Sequence, residues 1–124
     1  MDYIALIVDD DHPTLLFLEQ VLRPLNVHVM QAQDGAEAIA VLENHTPIIL
    51  FLDMLMPTLS GLEVLEYIYH TPRLDNLFVA VVSAHSYFEP SPILERANAY
   101  YVKPIRPKDI RDATQYAISR QAAH

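Results

Sequence analysis

Residues 3–13 read YIALIVDDDHP, and the turn from six apolar residues to three aspartates decides the fold. Tyr3 to Val8 is apolar without alternation, the pattern of a strand buried on both faces of a parallel sheet. Asp9, Asp10 and Asp11 mark where that strand runs out. Asp11 or His12 then suits the cap of a helix with Pro13 in its first turn, where a missing amide costs nothing. Four further runs are of strand length: Val27–Ala32, Ile48–Leu52, Leu77–Val82 and Ala99–Val102. Two of them, IILFL and LFVAVV, are again continuous rather than alternating.

The segments between these runs carry helix signals. Leu15, Leu18, Leu22 and Leu25 recur at helical steps after the first run. Asp34 stands three residues before Glu37, and Ser60 three before Glu63, the spacing of a capping box. From Pro107, the apolar set Ile110, Ala113, Ala117 and Ile118 gives a last amphipathic helix. The order is therefore β-α five times. Short connections then require right-handed crossovers, a five-stranded parallel sheet and helices on both faces. The fourth helix is expected to be short, late or distorted, because Pro90 and Pro92 fall where it should run and proline lacks the amide a helix interior needs. No repeat, low-complexity tract or linker interrupts the chain, so a single α/β domain is expected over residues 1–124.

Composition narrows the function. The 124 residues are 52% hydrophobic and include no cysteine, which removes disulfides, thiol catalysis and thiolate metal sites. With 8 basic and 16 acidic residues the formal charge is −8, which repels a phosphate backbone; direct nucleic-acid binding is not expected. The N-terminal apolar run has no basic residue before it and is too short to span a bilayer. Neither a signal peptide nor a membrane segment is read there, and the expected location is the cytoplasm.

The polar residues that interrupt this pattern collect at strand ends. Asp9 and Asp10 follow the first strand, Asp53 the third, Ser83 ends the fourth and Lys103 follows the fifth. In an open parallel sheet, ligands bind beyond the carboxyl ends of the strands, where the strand order reverses. If the first and third strands are neighbours there, the carboxylates of Asp9, Asp10 and Asp53 converge and repel one another unless a cation lies among them. An all-oxygen set without His or Cys suits Mg2+. One carboxylate of such a site can attack phosphorus to form an aspartyl phosphate. Lys103 would supply a point charge to the phosphoryl oxygens and Ser83 a directed hydrogen bond.

These stretches, LIVDDDHP at 6–13, LFLDMLMPTLSGLEVL at 50–65, VVSA at 81–84 and YYVKP at 100–104, resemble the receiver domain of two-component response regulators over essentially the whole chain. The resemblance implies a flavodoxin-like, doubly wound (βα)5 fold with strand order 2-1-3-4-5. It also implies that Asp53 is the phosphoacceptor, that Asp9 and Asp10 hold Mg2+ with Asp10 the more direct ligand, and that the Leu55 backbone carbonyl completes the protein ligands. Ser83 matches the family's hydroxyl switch residue, Tyr100 the aromatic whose rotamer follows phosphorylation, and Lys103 the family's lysine, with a cis bond to Pro104. Leu55 and His85 occupy positions that tune loss of the phosphoryl group. The implied donor is a sensor histidine kinase or a phosphotransfer protein, and the implied output is a change on a distal face read by a downstream protein or by a second copy of the chain. Such a chain is a signalling phosphoacceptor that catalyses only its own phosphorylation and dephosphorylation.

Two departures stand out. Arg96, Asn98 and Ala99 occupy places where the family usually has a glycine and acidic residues, and Lys103 stands only 20 positions after Ser83, fewer than is typical. Both concern the output face rather than the acidic site.

Two other readings share parts of the pattern. A phosphohydrolase of the haloacid dehalogenase type would use Asp9 and Asp11 as a D-x-D pair, but leaves Asp53 without a role and wants a longer chain. A flavodoxin-like interaction module that is never phosphorylated shares the fold, yet a phosphate loop rich in Gly, Ser and Thr is absent, and the whole chain has only 2 glycines. The six histidines show no metal-ligand spacing. Strand alternation sends Tyr100 and Tyr101 to opposite faces. Met30, Met54 and Met56 read as core filler.

Overall fold

The structure, a computed structural model, describes residues 3–56, 60–84 and 92–122. Strands β1 (Tyr3–Val8), β2 (Val27–Ala32), β3 (Ile49–Leu52), β4 (Phe78–Ser83) and β5 (Ala99–Val102) alternate with helices α1 (His12–Leu22), α2 (Gly35–Asn44), α3 (Gly61–Tyr69) and α4 (Pro107–Ala122). The strands form one parallel sheet in the order β2-β1-β3-β4-β5. The five-stranded order and the winding match the expectation.

Continuous apolar strands are needed because both faces are covered. Leu6 and Val8 of β1, Leu50 and Leu52 of β3, and Val79 and Val81 of β4 pack with Ala38 and Leu42 of α2 and Val64, Leu65 and Ile68 of α3. The intervening residues, Ala5, Ile7, Ile49, Phe51, Ala80 and Val82, pack on the other side with Leu15, Leu18 and Leu22 of α1 and Ile110, Ala113 and Ala117 of α4. Two cores thus sandwich the sheet, one on each side of the pleat. Met54 and Met56 are buried in the first core and Met30 packs against it, as filler. Tyr101 faces the second core, whereas Tyr100 is 49% exposed, which is the alternation expected of them.

Helix starts follow the sequence signals. Asp11 caps α1 by accepting the Thr14 amide at 3.1 Å, Asp34 caps α2 through the Glu37 amide at 2.8 Å, and Ser60 caps α3 through the Glu63 amide at 3.4 Å. Between β4 and β5 the described residues contain no α-helix, only a 3-10 turn at Leu94–Arg96. This turn represents the expected short or distorted fourth helix; Pro92 lies in a turn just before it, while Pro90 and His85 fall outside the described residues. Among the described residues, no helix is long and apolar enough to cross a membrane.

Candidate functional site

The chain leaves β1 toward β2 in one direction and returns through β3, β4 and β5 in the other, so the order reverses between β1 and β3. Val8 and Leu52 are register partners at the ends of those strands, and the next residue of each is Asp9 and Asp53. The Asp9 amide donates to the Ala32 carbonyl at 3.1 Å and the Asp53 amide to the Val8 carbonyl at 3.0 Å, so the sheet's own ladder places both aspartates. One step farther, the Lys103 amide donates to the Ser83 carbonyl at 2.7 Å and holds the end of β5 beside β4. The Lys103–Pro104 bond is cis, as the resemblance implied.

Four polar side chains are buried among the described residues: Asp9, Asp53, Ser83 and Thr114. Three of them are residues singled out from the sequence. The fourth, Thr114, bonds the Ile110 carbonyl of its own helix at 2.8 Å and has no part in the site. Buried carboxylates are costly without a partner. Here one oxygen each of Asp9, Asp10 and Asp53 lie within 4.8 Å of one another, and Lys103 Nζ stands 2.8 Å from Asp9 Oδ2 and 3.8 Å from Asp53 Oδ2. Asp9 Oδ1 also accepts the Asp11 amide at 2.9 Å, and Asp53 Oδ1 the Leu55 amide at 3.2 Å. Asp10 is exposed.

Burial pushes the Asp53 carboxyl up to about 6; the Leu55 amide opposes the rise, the Asp9 and Asp10 charges add to it and Lys103 offsets part of it. For Lys103, burial works against the charge, but the hydrogen bond and charge of Asp9, with the charges of Asp53 and Asp11, hold its pKa above that of an ordinary lysine. One ammonium therefore faces three carboxylates, which leaves the cluster electron-rich. The donor set is entirely oxygen and the oxygens are close enough for one small hard cation to serve all three, which fits Mg2+.

Tyr100 lies on β5 opposite Val81, and its hydroxyl donates to the Leu94 carbonyl. Leu55 presents an exposed side chain beside Asp53. Asp11, needed by the phosphohydrolase reading, is occupied as the α1 cap, bonded to both the amide and the hydroxyl of Thr14. One positioning residue was not singled out from the sequence. A Cβ on Gly61 would stand 2.6 Å from the Asp53 carbonyl oxygen and 2.6 Å from Met54 Cα, so α3 begins hard against the backbone that carries Asp53. Both clashing atoms are backbone and cannot rotate away. Gly61→Ala is expected to cost about 1–3 kcal/mol, as overpacked sites do, and urea denaturation measures it. Stability unchanged within error would show that α3 can withdraw freely.

Residues 5–115 match the model of the response regulator receiver domain family. An uncharacterized 14.6 kDa protein of Leptolyngbya boryana is 30% identical over 117 residues, covering 92% of this chain and 89% of that one. The alkaline phosphatase synthesis transcriptional regulatory protein PhoP of Bacillus subtilis is 24% identical over 120 residues, 97% of this chain but 50% of PhoP. The chain thus spans about half the length of that regulator. The crystal structure of a CheY-like response regulator receiver domain protein from Methanospirillum hungatei superposes with a TM-score of 0.87 at 28% identity, over 99% of this chain and 98% of that one.

Proposed function

The chain belongs to the response regulator receiver domain family and is a signalling module of a two-component system; from that premise we propose that Asp53 is its phosphoacceptor. The observation that carries this reading is the meeting of Asp9, Asp10 and Asp53 with Lys103 at the point where the strand order reverses. Asp53 is the carboxylate to react, because it directly follows the central strand β3 and its Oδ1 is already oriented by the Leu55 amide. Asp9 is committed to Lys103 and to the Asp11 amide. Asp9, Asp10, Asp53 and the Leu55 carbonyl would hold Mg2+. When bound, the ion neutralises the carboxylates and the phosphoryl oxygens.

In the transfer, an Asp53 oxygen forms a bond to phosphorus while the bond from phosphorus to the donor's imidazole nitrogen breaks, and the imidazole takes up a proton. Lys103, held by Asp9, meets the phosphoryl oxygens as a fixed positive charge, and the Ser83 hydroxyl donates to one of them. The donor is a histidine kinase or a phosphotransfer protein, since receivers of this family interact with histidine kinases and with downstream targets. Hydrolysis of the acyl phosphate at the same site returns Asp53 to a carboxylate. Phosphorylation replaces a carboxylate of charge −1 by a phosphoryl group carrying roughly −1.5 to −2 and three strong acceptor oxygens, which draws Ser83 and Lys103 inward and lets Tyr100 follow, biasing an existing two-state equilibrium. The receiver unit is assigned to residues 1–124, beyond the matched stretch, because β1 begins at Tyr3 and α4 runs to Ala122.

Intact mass after incubation with a small-molecule phosphodonor tests the reading. One acid-stable, base-labile phosphoryl group is expected on the wild type in Mg2+, with none in chelator and none on Asp53→Asn. An adduct that persists on Asp53→Asn would overturn the assignment.

A further inference from the structure

The residues entering β5 hold a fastening. Arg96 Nη2 donates to the carbonyls of Leu74 at 2.8 Å and Leu77 at 2.9 Å, on the connection between α3 and β4. Its Nη1 donates to Asn98 Oδ1 at 3.3 Å. The same Asn98 oxygen accepts the Val79 amide at 2.7 Å, and the Asn98 amide donates to the Val79 carbonyl at 2.8 Å. The Asn98 side chain therefore continues the β4–β5 ladder one step below its first pair, Ala80 with Ala99. The Tyr100 hydroxyl ties β5 to the same turn through Leu94.

β5 is a four-residue edge strand, paired on one side only. Lys103 follows it directly, so the register of β5 on β4 sets where the ammonium lands relative to Asp9 and Asp53. A slip of one residue would reverse every side chain of the strand. We propose that Asn98 and Arg96 are positioning residues for Lys103, pinning β5 at its lower end as the Lys103 amide pins it at the upper. The proposal rests on Lys103 acting on the phosphoryl group at Asp53, as argued above.

Oδ1 is used only as an acceptor from the Val79 amide and from Arg96, so an aspartate can replace asparagine and an alanine cannot. The test is the initial rate of phosphoryl uptake from acetyl phosphate in Mg2+, at a temperature where each variant is folded by circular dichroism. Asn98→Ala is expected to slow uptake about five- to tenfold, since small misplacements of a catalytic charge are costly. Asn98→Asp should stay within about twofold of wild type, keeping the acceptor. Arg96→Lys should also slow uptake, because an ammonium cannot serve two carbonyls and Asn98 in the planar fork of a guanidinium. Folded Asn98→Ala reacting at the wild-type rate would overturn the proposal. If Asn98→Ala fails to fold, Arg96→Lys at the wild-type rate does the same. A wild type that takes up no phosphoryl group fails the Asp53 reading instead, a result that all variants would share.

Discussion

Lys103→Met is expected to slow phosphoryl uptake at Asp53 by about 10²- to 10³-fold, the usual cost of deleting one preorganised charge stabiliser. Nζ stands 2.8 Å from Asp9 Oδ2 and 3.8 Å from Asp53 Oδ2, with 26% of the side chain exposed. It is thus held beside the reacting carboxylate before any phosphoryl group arrives and has only a short way to move as charge develops. Methionine keeps much of the length and removes the charge. Arginine should not rescue the loss, because a planar fork does not fit a site built around a compact ammonium. The same substitution leaves Asp9, which is 2% exposed, without its cation. Removing one partner of a buried pair costs about 3–5 kcal/mol, and the partial exposure of Lys103 reduces this to about 2 kcal/mol in the absence of metal. Mg2+ should restore most of that stability without restoring the rate. Initial rates from intact mass, with melting temperatures in chelator and in Mg2+, separate the two effects. A Lys103→Met protein labelled at the wild-type rate would remove the lysine from the chemistry.

The sheet and the acidic site were legible because each has a one-dimensional signature. IALIV, IILFL and LFVAVV are unbroken since both faces of β1, β3 and β4 are covered, and the carboxylates follow those runs immediately. Burial along AYYV at β5 alternates, leaving Tyr100 and Val102 exposed on the outer face of an edge strand. What the sequence could not supply are contacts to backbone groups that only folding assembles. Arg96 binds carbonyls 22 and 19 residues away, and no local pattern announces such a partner. Gly61 looks like the first residue of a capped helix; its closeness to the Asp53 carbonyl arises from the packing of α3 on the end of β3. The three consecutive aspartates are equivalent in composition, yet the chain divides them into buried Asp9, exposed Asp10 and the cap Asp11.

Asp53→Asn is expected to stabilise the chelated protein by about 2–3 kcal/mol above pH 6 and by almost nothing near pH 4, since a shift of one pKa unit is worth about 1.36 kcal/mol. Burial has pushed the Asp53 carboxyl from 3.8 up to about 6. Between those values the folded protein holds a proton that the unfolded chain has released. Wild-type stability therefore falls as pH rises through this window, and the penalty is complete above the folded pKa. Asparagine carries no such proton, so the difference between the two proteins isolates this one group from the rest of the acid transition. Chemical denaturation in chelator from pH 4 to pH 8 measures it, and parallel profiles for wild type and variant would refute a strained carboxylate. Mg2+ should cancel most of this difference at neutral pH: a ligand at about 100 times its Kd adds about 2.7 kcal/mol to the protein that binds it, and the variant, with one of three carboxylates lost, gains less. The same physics that makes Asp53 costly to bury makes its site responsive. A carboxylate already at ease in the fold would gain little from a cation and a phosphoryl group, and a switch can be driven only by as much free energy as its ligands recover.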